Sequence, residues 1–151
     1  MTVVLAVHNS VACWPILSFG SAETRQQYLP RMASGEWIGG FALTESHCGS
    51  DASALRTTAV KDGDHFVING SKCFITNGHR AGLFVVLART DNDAPKTKGI
   101  SAFIVERDTP GLSIGPKEDK LGMRASDTVP LTFANCRVPA ANLPKLFDPF
   151  S

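Results

Sequence analysis

Thr57-Thr58-Ala59-Val60-Lys61-Asp62-Gly63-Asp64-His65-Phe66-Val67-Ile68-Asn69-Gly70-Ser71-Lys72-Cys73-Phe74-Ile75-Thr76-Asn77-Gly78 is the stretch that sets the fold class. β-Branched and aromatic residues dominate three short runs, 57–60, 65–68 and 72–76. Asp62-Gly63, Asn69-Gly70 and Asn77-Gly78 close them, and such pairs accept the positive φ of tight hairpin turns. The stretch therefore reads as successive antiparallel strands with turns at each Asx-Gly pair.

Towards the C-terminus, Leu83 to Ala88 is apolar without interruption, which predicts a strand buried on both faces. Asp91 to Lys98 is polar and predicts a mobile surface loop. Gly99 to Glu106 reads as a strand, Thr109-Pro110-Gly111 as a turn and Leu112-Ser113-Ile114 as a short strand. Lys117 to Ser126 is charged, contains glycine and reads as a loop. Val129–Phe133 and Cys136–Val138 bring the total to about seven strands, the spacing of an all-β barrel or sandwich.

Towards the N-terminus the texture is helical. Residues 2–19 predict a buried helix with Val3, Val4, Val7 and Val11 on one face, disturbed at Trp14-Pro15. Ser21 is a good N-cap and Glu23 suits a helix start, so a second helix runs to about Leu29. Pro30 then begins a further turn closed by Gly35. The expected fold is mainly β, a barrel preceded by two or three short α-helices.

A chain of 151 residues is long enough for one domain with a real core, not comfortably two. The net charge is +1 and no cluster of basic residues occurs, which argues against nucleic acid and anionic membrane as main partners. Cys13, Cys48, Cys73 and Cys136 are too dispersed for a disulfide framework or a zinc site, and His8, His47, His65 and His79 are equally scattered. No signal-peptide pattern is present, and no window approaches the ~20 apolar residues of a membrane span.

One loop stands out. Phe41-Ala42-Leu43-Thr44-Glu45-Ser46-His47-Cys48-Gly49-Ser50-Asp51 runs from a strand-like segment into a small polar loop. Backbone N–H groups in such a loop can form an anion-binding concavity, and glycine permits close approach of a ligand. Read without other information, Gly49-Ser50-Asp51 is an ordinary turn, Thr44 a strand end and Phe74 a core aromatic. His47-Cys48 reads as two loop residues, because sequence neighbours seldom point at each other. Glu45 and Asp51 read as acceptors that fix the loop, not as an acid–base pair.

Taken together, the segments resemble the acyl-CoA dehydrogenase family from about Val3 to Asn142. The marks are Phe-Ala-Leu-Thr-Glu (41–45), Gly-Ser-Asp (49–51), Asn69-Gly70-Ser71-Lys72 and Phe74-Ile75-Thr76-Asn77-Gly78. Further on come Lys98 to Val105, Thr109-Pro110-Gly111-Leu112, Lys120-Leu121-Gly122-Met123-Arg124 and Arg137-Val138-Pro139. Several such matches in the right order are specific where one would be weak.

The resemblance implies a division into residues 1–38, the end of an N-terminal helical domain, and 39–142, a β-barrel middle domain binding FAD and acyl-CoA. Residues 143–151 are an atypical tail. It implies cofactor contacts from Phe41, Leu43, Thr44, Ser50, Phe74, Ile75 and Thr76. Thr44 would serve the flavin pyrimidine edge, Thr76 the N5–O4 edge, and Ser50 the pyrophosphate and the nearby acyl-CoA. Phe74 matches the aromatic that covers the flavin ring. Arg124, Ser126 and Asp127 are expected to brace a loop, and Lys98 to be solvated.

The implied reaction is α,β-dehydrogenation of an acyl-CoA thioester with hydride passing to FAD N5, and electrons leaving through an electron-transfer flavoprotein. The implied full-length assembly is a homotetramer or homodimer, cytoplasmic in bacteria or in the mitochondrial matrix of eukaryotes. Two departures stand against the pattern. Ser46-His47-Cys48 replaces the proline and small residues usual after Thr-Glu, which predicts a less preorganised loop. The family's catalytic glutamate, carried by a C-terminal helical domain, has no counterpart, so no catalytic residue is expected here and the chain alone is expected to be inactive. Two other readings are an acyl-CoA oxidase-type relative and a cofactor-free β-barrel interaction module.

Overall fold

The structure, a computed structural model, describes residues 2–95 and 98–142. Three helical segments open the chain: α1 (Thr2–Val7), a π-helical turn (His8–Cys13) and α2 (Trp14–Phe19); α3 (Ala22–Ala33) follows. Seven strands come next: β1 (Ile38–Ala42), β2 (Thr58–Asp62), β3 (His65–Thr76), β4 (Ala81–Arg89), β5 (Ile100–Glu106), β6 (Leu112–Ile114) and β7 (Thr128–Pro139). They form one sheet in the order β1-β4-β2-β3-β7-β6, with β5 also paired to β4. The result is a half-barrel with helices on one face, the mainly β architecture expected.

The uninterrupted apolar sequence of β4 explains the two layers. Successive side chains leave a strand on opposite faces. Phe84, Val86 and Ala88 therefore enter the main core with Phe103, Val105, Val129 and Leu131. Leu83 and Val85 enter a second cluster with Ala12, Ile16, Tyr28 and Met32. Strand β5 repeats the alternation, sending Phe103 and Val105 one way and Ala102 and Ile104 the other.

The N-terminal helices differ from expectation in which face they bury. His8, Ala12 and Ile16 are buried, and the four valines are only half-buried. Close approach to β1 selects the small or hydrogen-bonding face: a Cβ on Gly39 would lie 2.4 Å from Ala12 Cβ. His8 Nδ1 accepts from the Gly39 N–H at 2.9 Å, and its Nε2 faces Met32 O at 3.1 Å. The disturbance predicted at Trp14-Pro15 is absorbed by the π-helical turn, where the Trp14 N–H bonds five residues back to Asn9 O.

The helical run Thr2–Phe19 is, contrary to expectation, long and apolar enough to cross a membrane by length and composition. Its buried face packs on the sheet, as a domain helix does.

Helix α3 starts as expected, with Ser21 Oγ accepting from the Thr24 N–H at 3.1 Å, but it continues through Pro30 to Ala33. Burial of Tyr28 and Met32 on the sheet outweighs the proline, which sits on the exposed face where water can serve the carbonyl it frees.

Asn69-Gly70 is not a turn. Strand β3 continues through it beside β7, and the register jumps between Ile68 and Gly70. Gly70 has φ +146°, and opposite it Asn135, at φ +52°, donates its N–H to Asn69 Oδ1 at 2.8 Å. The Asx-Gly pair thus makes a bulge, and the two C-terminal runs predicted as separate strands are one strand, β7, bent at Asn135. A second register jump, between Lys72 and Ile75, holds Cys73 and Phe74.

The residues predicted as a loop at 91–95 and 98 lie at the surface, where Asp91 Oδ1 accepts from the N–H groups of Asp93 and Ala94. The tail at 143–151 lies outside the described residues.

Candidate functional site

Beyond β1 the chain passes directly over the second bulge of β3. The Cys73 N–H donates to Thr44 O at 2.9 Å, and Lys72 Nζ donates to Leu43 O at 3.0 Å. Thr44 is thereby tied to the segment that carries Phe74 and Thr76.

Phe74 is the strained residue of this site. It has φ +59° and is 63% exposed. A bulky side chain in left-handed geometry costs about 1–3 kcal/mol. The bulge turns this aromatic outward, away from the buried Ile75 beside it.

The loop after Thr44 is built around Glu45. Its N–H and carbonyl pair with Cys48, enclosing Ser46 and His47 in a tight turn. Its buried carboxylate accepts from the Arg56 N–H at 2.8 Å, the Thr57 N–H at 3.0 Å and Lys72 Nζ at 2.8 Å. Burial by itself would push this carboxyl up, but the hydrogen bonds from Lys72, Thr57 and Arg56 prevail and hold it down at about 2. Burial pulls the Lys72 ammonium down against the opposing attraction of Glu45. A buried carboxylate thus fixes the start of this loop.

Cys48 Sγ donates to Asp51 O at 3.1 Å, whereas His47 Nε2 lies 3.5 Å from Glu45 Oε2. The two residues make no nucleophile pair, and burial pushes the Cys48 thiol up. Asp51 Oδ1 accepts from the Ser53 N–H at 3.2 Å, the loop-fixing role expected of it.

Among the described residues, no hydrogen bond reaches the side-chain hydroxyls of Thr44, Ser50 or Thr76. Ser50 is exposed, Thr44 and Thr76 are half-buried, and a Cβ on Gly49 would meet open space. Phe41, Leu43 and Ile75 point elsewhere. Phe41 packs against the helix-side cluster, Leu43 against Cys48, Leu55 and Ile100, and Ile75 inside the main core. Ile75 is buried, so any contact it makes with a ligand at the Thr44–Phe74 junction would come through its backbone.

The loop carrying Lys120 to Asp127 is braced. Lys120 Nζ donates to Ser126 O at 2.6 Å, Arg124 Nε to Lys120 O at 2.8 Å, and the His79 N–H to Asp127 Oδ2 at 2.8 Å. Lys98 is exposed, as expected. Among the described residues no cluster could hold a metal ion. Lys72 was not singled out by sequence reasoning; it stands between the polar Asn69-Gly70-Ser71 and the run Cys73-Phe74-Ile75 with nothing to mark it as buried.

Unpartnered hydroxyls on Thr44 and Thr76, carried by the two segments joined beside the exposed, strained Phe74, suit a planar, polar-edged group such as a flavin. Comparison with known proteins agrees. The chain matches the acyl-CoA dehydrogenase middle-domain model over residues 40–136 and the acyl-CoA dehydrogenase N-terminal-domain model over residues 1–36. It belongs to the acyl-CoA dehydrogenase family.

It is 52% identical over 141 residues to an acyl-CoA dehydrogenase of Bacillus subtilis, covering 93% of this chain and 37% of that protein. It is 51% identical to the mitochondrial short-chain specific acyl-CoA dehydrogenase of Mus musculus, covering 93% and 34%. Its fold matches that of acyl-CoA dehydrogenase from Geobacillus kaustophilus with a TM-score of 0.92 at 47% identity, covering 94% of this chain and 38% of that one. A glutaryl-CoA dehydrogenase from Mycobacterium smegmatis, solved in complex with FADH2, matches with a TM-score of 0.86 at 39% identity, covering 93% and 35%. The chain thus spans about a third of the length of the curated relatives it matches.

Proposed function

We propose that this chain forms the flavin-facing wall of an acyl-CoA dehydrogenase. The observation that carries the reading is the junction of Thr44 with the Phe74 bulge: an exposed aromatic in left-handed geometry beside hydroxyls that no protein group uses. FAD, when bound, supplies the two-electron acceptor for α,β-dehydrogenation of an acyl-CoA thioester. Thr44 and Thr76 would orient it by donating to its polar edges, Phe74 would cover one ring face and exclude water, and Ser50 would donate to pyrophosphate and stand near the acyl-CoA. Fixed donors of this kind favour negative charge arriving at the cofactor without reorganisation.

The α-proton needs a base, and the carboxylate nearest Thr44 in sequence, Glu45, is committed to Lys72 and two backbone N–H groups. The base is therefore proposed to come from outside the described residues, and electron-transfer flavoprotein to take the electrons from the whole enzyme. The assignment of residues 1–38 to a helical domain and 39–142 to the middle domain belongs to this reading; the two family matches, which meet between residues 36 and 40, support it.

An oxidase-type relative is the second reading. The prolyl acyl carrier protein oxidase AnaB shares this fold with a TM-score of 0.91 at 40% identity, so the segment itself does not choose the final electron acceptor. Oxygen consumption by the whole enzyme separates the two.

Titration of the chain with FAD, followed by flavin fluorescence, tests the proposal. Saturable binding that weakens about tenfold or more for each of Thr44→Ala, Ser50→Ala and Thr76→Ala is expected, each variant removing one hydrogen bond to a charged or polarised group. Absence of saturation would show that this wall does not hold FAD by itself, and absence of flavin affinity in the whole enzyme as well would return the reading to a cofactor-free β module.

A further inference from the structure

The buried pair Glu45 and Lys72 takes no part in the flavin contacts proposed above, yet it lies between the two pieces of backbone that make them. The Lys72 side chain is wholly inaccessible and that of Glu45 is 4% exposed. Lys72 Nζ donates both to Leu43 O, one residue before Thr44, and to Glu45 Oε1, one residue after it. The next residue, Cys73, donates its N–H to Thr44 O itself. Three consecutive residues of the loop are thus fastened to two consecutive residues of β3, and the strained Phe74 follows immediately. The second carboxylate oxygen of Glu45 accepts from the Arg56 N–H, tying the segment just before β2 into the same knot.

A buried ion pair is a poor source of net stability, because dehydrating both charges consumes most of their attraction. Breaking such a pair is costly, because it leaves an uncompensated buried charge, so the geometry that keeps both partners together is the one held. Here that geometry is the gap between Thr44 and Phe74.

We propose that Glu45 and Lys72 are positioning residues that lock the Thr44 loop to the Phe74 bulge, and so set the spacing of the groups meeting the flavin, without touching cofactor or substrate. The proposal rests on the flavin reading of Thr44, Phe74 and Thr76.

The test compares the 151-residue chain with its Lys72→Met variant, which keeps the length of the stem and removes the charge. Two readouts are needed: residue-resolved amide hydrogen exchange, and FAD titration. Exchange at Arg56, Thr57 and Cys73 is expected to accelerate about tenfold or more while β4 and β5 keep their protection, because the opening is local. The FAD Kd is expected to rise about tenfold, comparable with deleting one edge hydrogen bond.

Unchanged exchange at Cys73 would overturn the proposal. So would an equal loss of protection throughout β4 and β5, which would make the pair a general stabiliser, or FAD affinity that ignores the substitution. If Lys72→Met does not fold, Glu45→Gln, which keeps the shape of the side chain, is judged by the same criteria. Failure of the unsubstituted chain to bind FAD counts against the flavin reading alone, because the exchange pattern still decides whether the pair locks the loop.

Discussion

Phe74 shows what a single residue gives up for position. Its left-handed backbone is one that glycine adopts freely, and its exposed ring returns little burial. Phe74→Gly is therefore expected to raise stability by about 0.5–1 kcal/mol in urea unfolding, while weakening FAD binding by removing the ring cover. Glu45 carries the opposite bargain. Its folded pKa of about 2 lies below the value of 4.5 expected without the site. Its contribution is therefore complete above about pH 5 and disappears as pH falls from there towards 2. Unfolding free energies from urea denaturation across that window should fall for the parent chain and fall less for Glu45→Gln, the difference being on the order of 2–3 kcal/mol. At this scale the sequence was half legible. Thr44, Ser50, Phe74 and Thr76 stood out through their motifs, and Glu45 was correctly read as a loop-fixing acceptor. Lys72 was quoted within a motif yet given no role, because strand position alone does not tell an inward lysine from an outward one; its partner lies 27 residues away in the chain.

Among the elements, β4 carries the most consequence, since its two faces belong to two different clusters. Phe84→Ala should cost about 3–5 kcal/mol in denaturant unfolding, because the cavity would open in a strand clamped from both sides. The strand was readable from its unbroken apolar run. Asn69-Gly70 was not read correctly, because the same pair that permits a two-residue turn also permits a bulge, and only the presence of β7 alongside decides between them. Pro30 misled for a related reason: local propensity argues for a helix end, and burial of Tyr28 and Met32 on the sheet overrides it. The buried face of the first helices was hidden by the π-helical turn, which shifts the angular phase that a 3.6-residue period assumes.

For the whole molecule, the family and the mainly β plan were legible because many short motifs fall in one order, whereas the joint between loop and bulge is a matter of packing. With Glu45 committed to Lys72, the chain saturated with FAD is expected to show no acyl-CoA-dependent dye reduction above buffer; reduction at rates within the ordinary enzyme range of about 1–10³ s⁻¹ would contradict it. The parallel pairing of β1 with β4 has a kinetic consequence. The β2–β3 and β4–β5 ladders close over short connections, but Ile38 meets Ala81 about forty positions further along the chain. Long closures are entropically slow, so the docking of β1 on β4, like that of β7 on β3, which joins Thr76 to Thr128 and His65 to Pro139, should follow the hairpins in folding. Thr44 follows β1 directly and reaches the Phe74 bulge only when that strand is in place. The flavin-facing junction would then be born only after the hairpins, and a chain arrested before β1 docks would have those hairpins and no site.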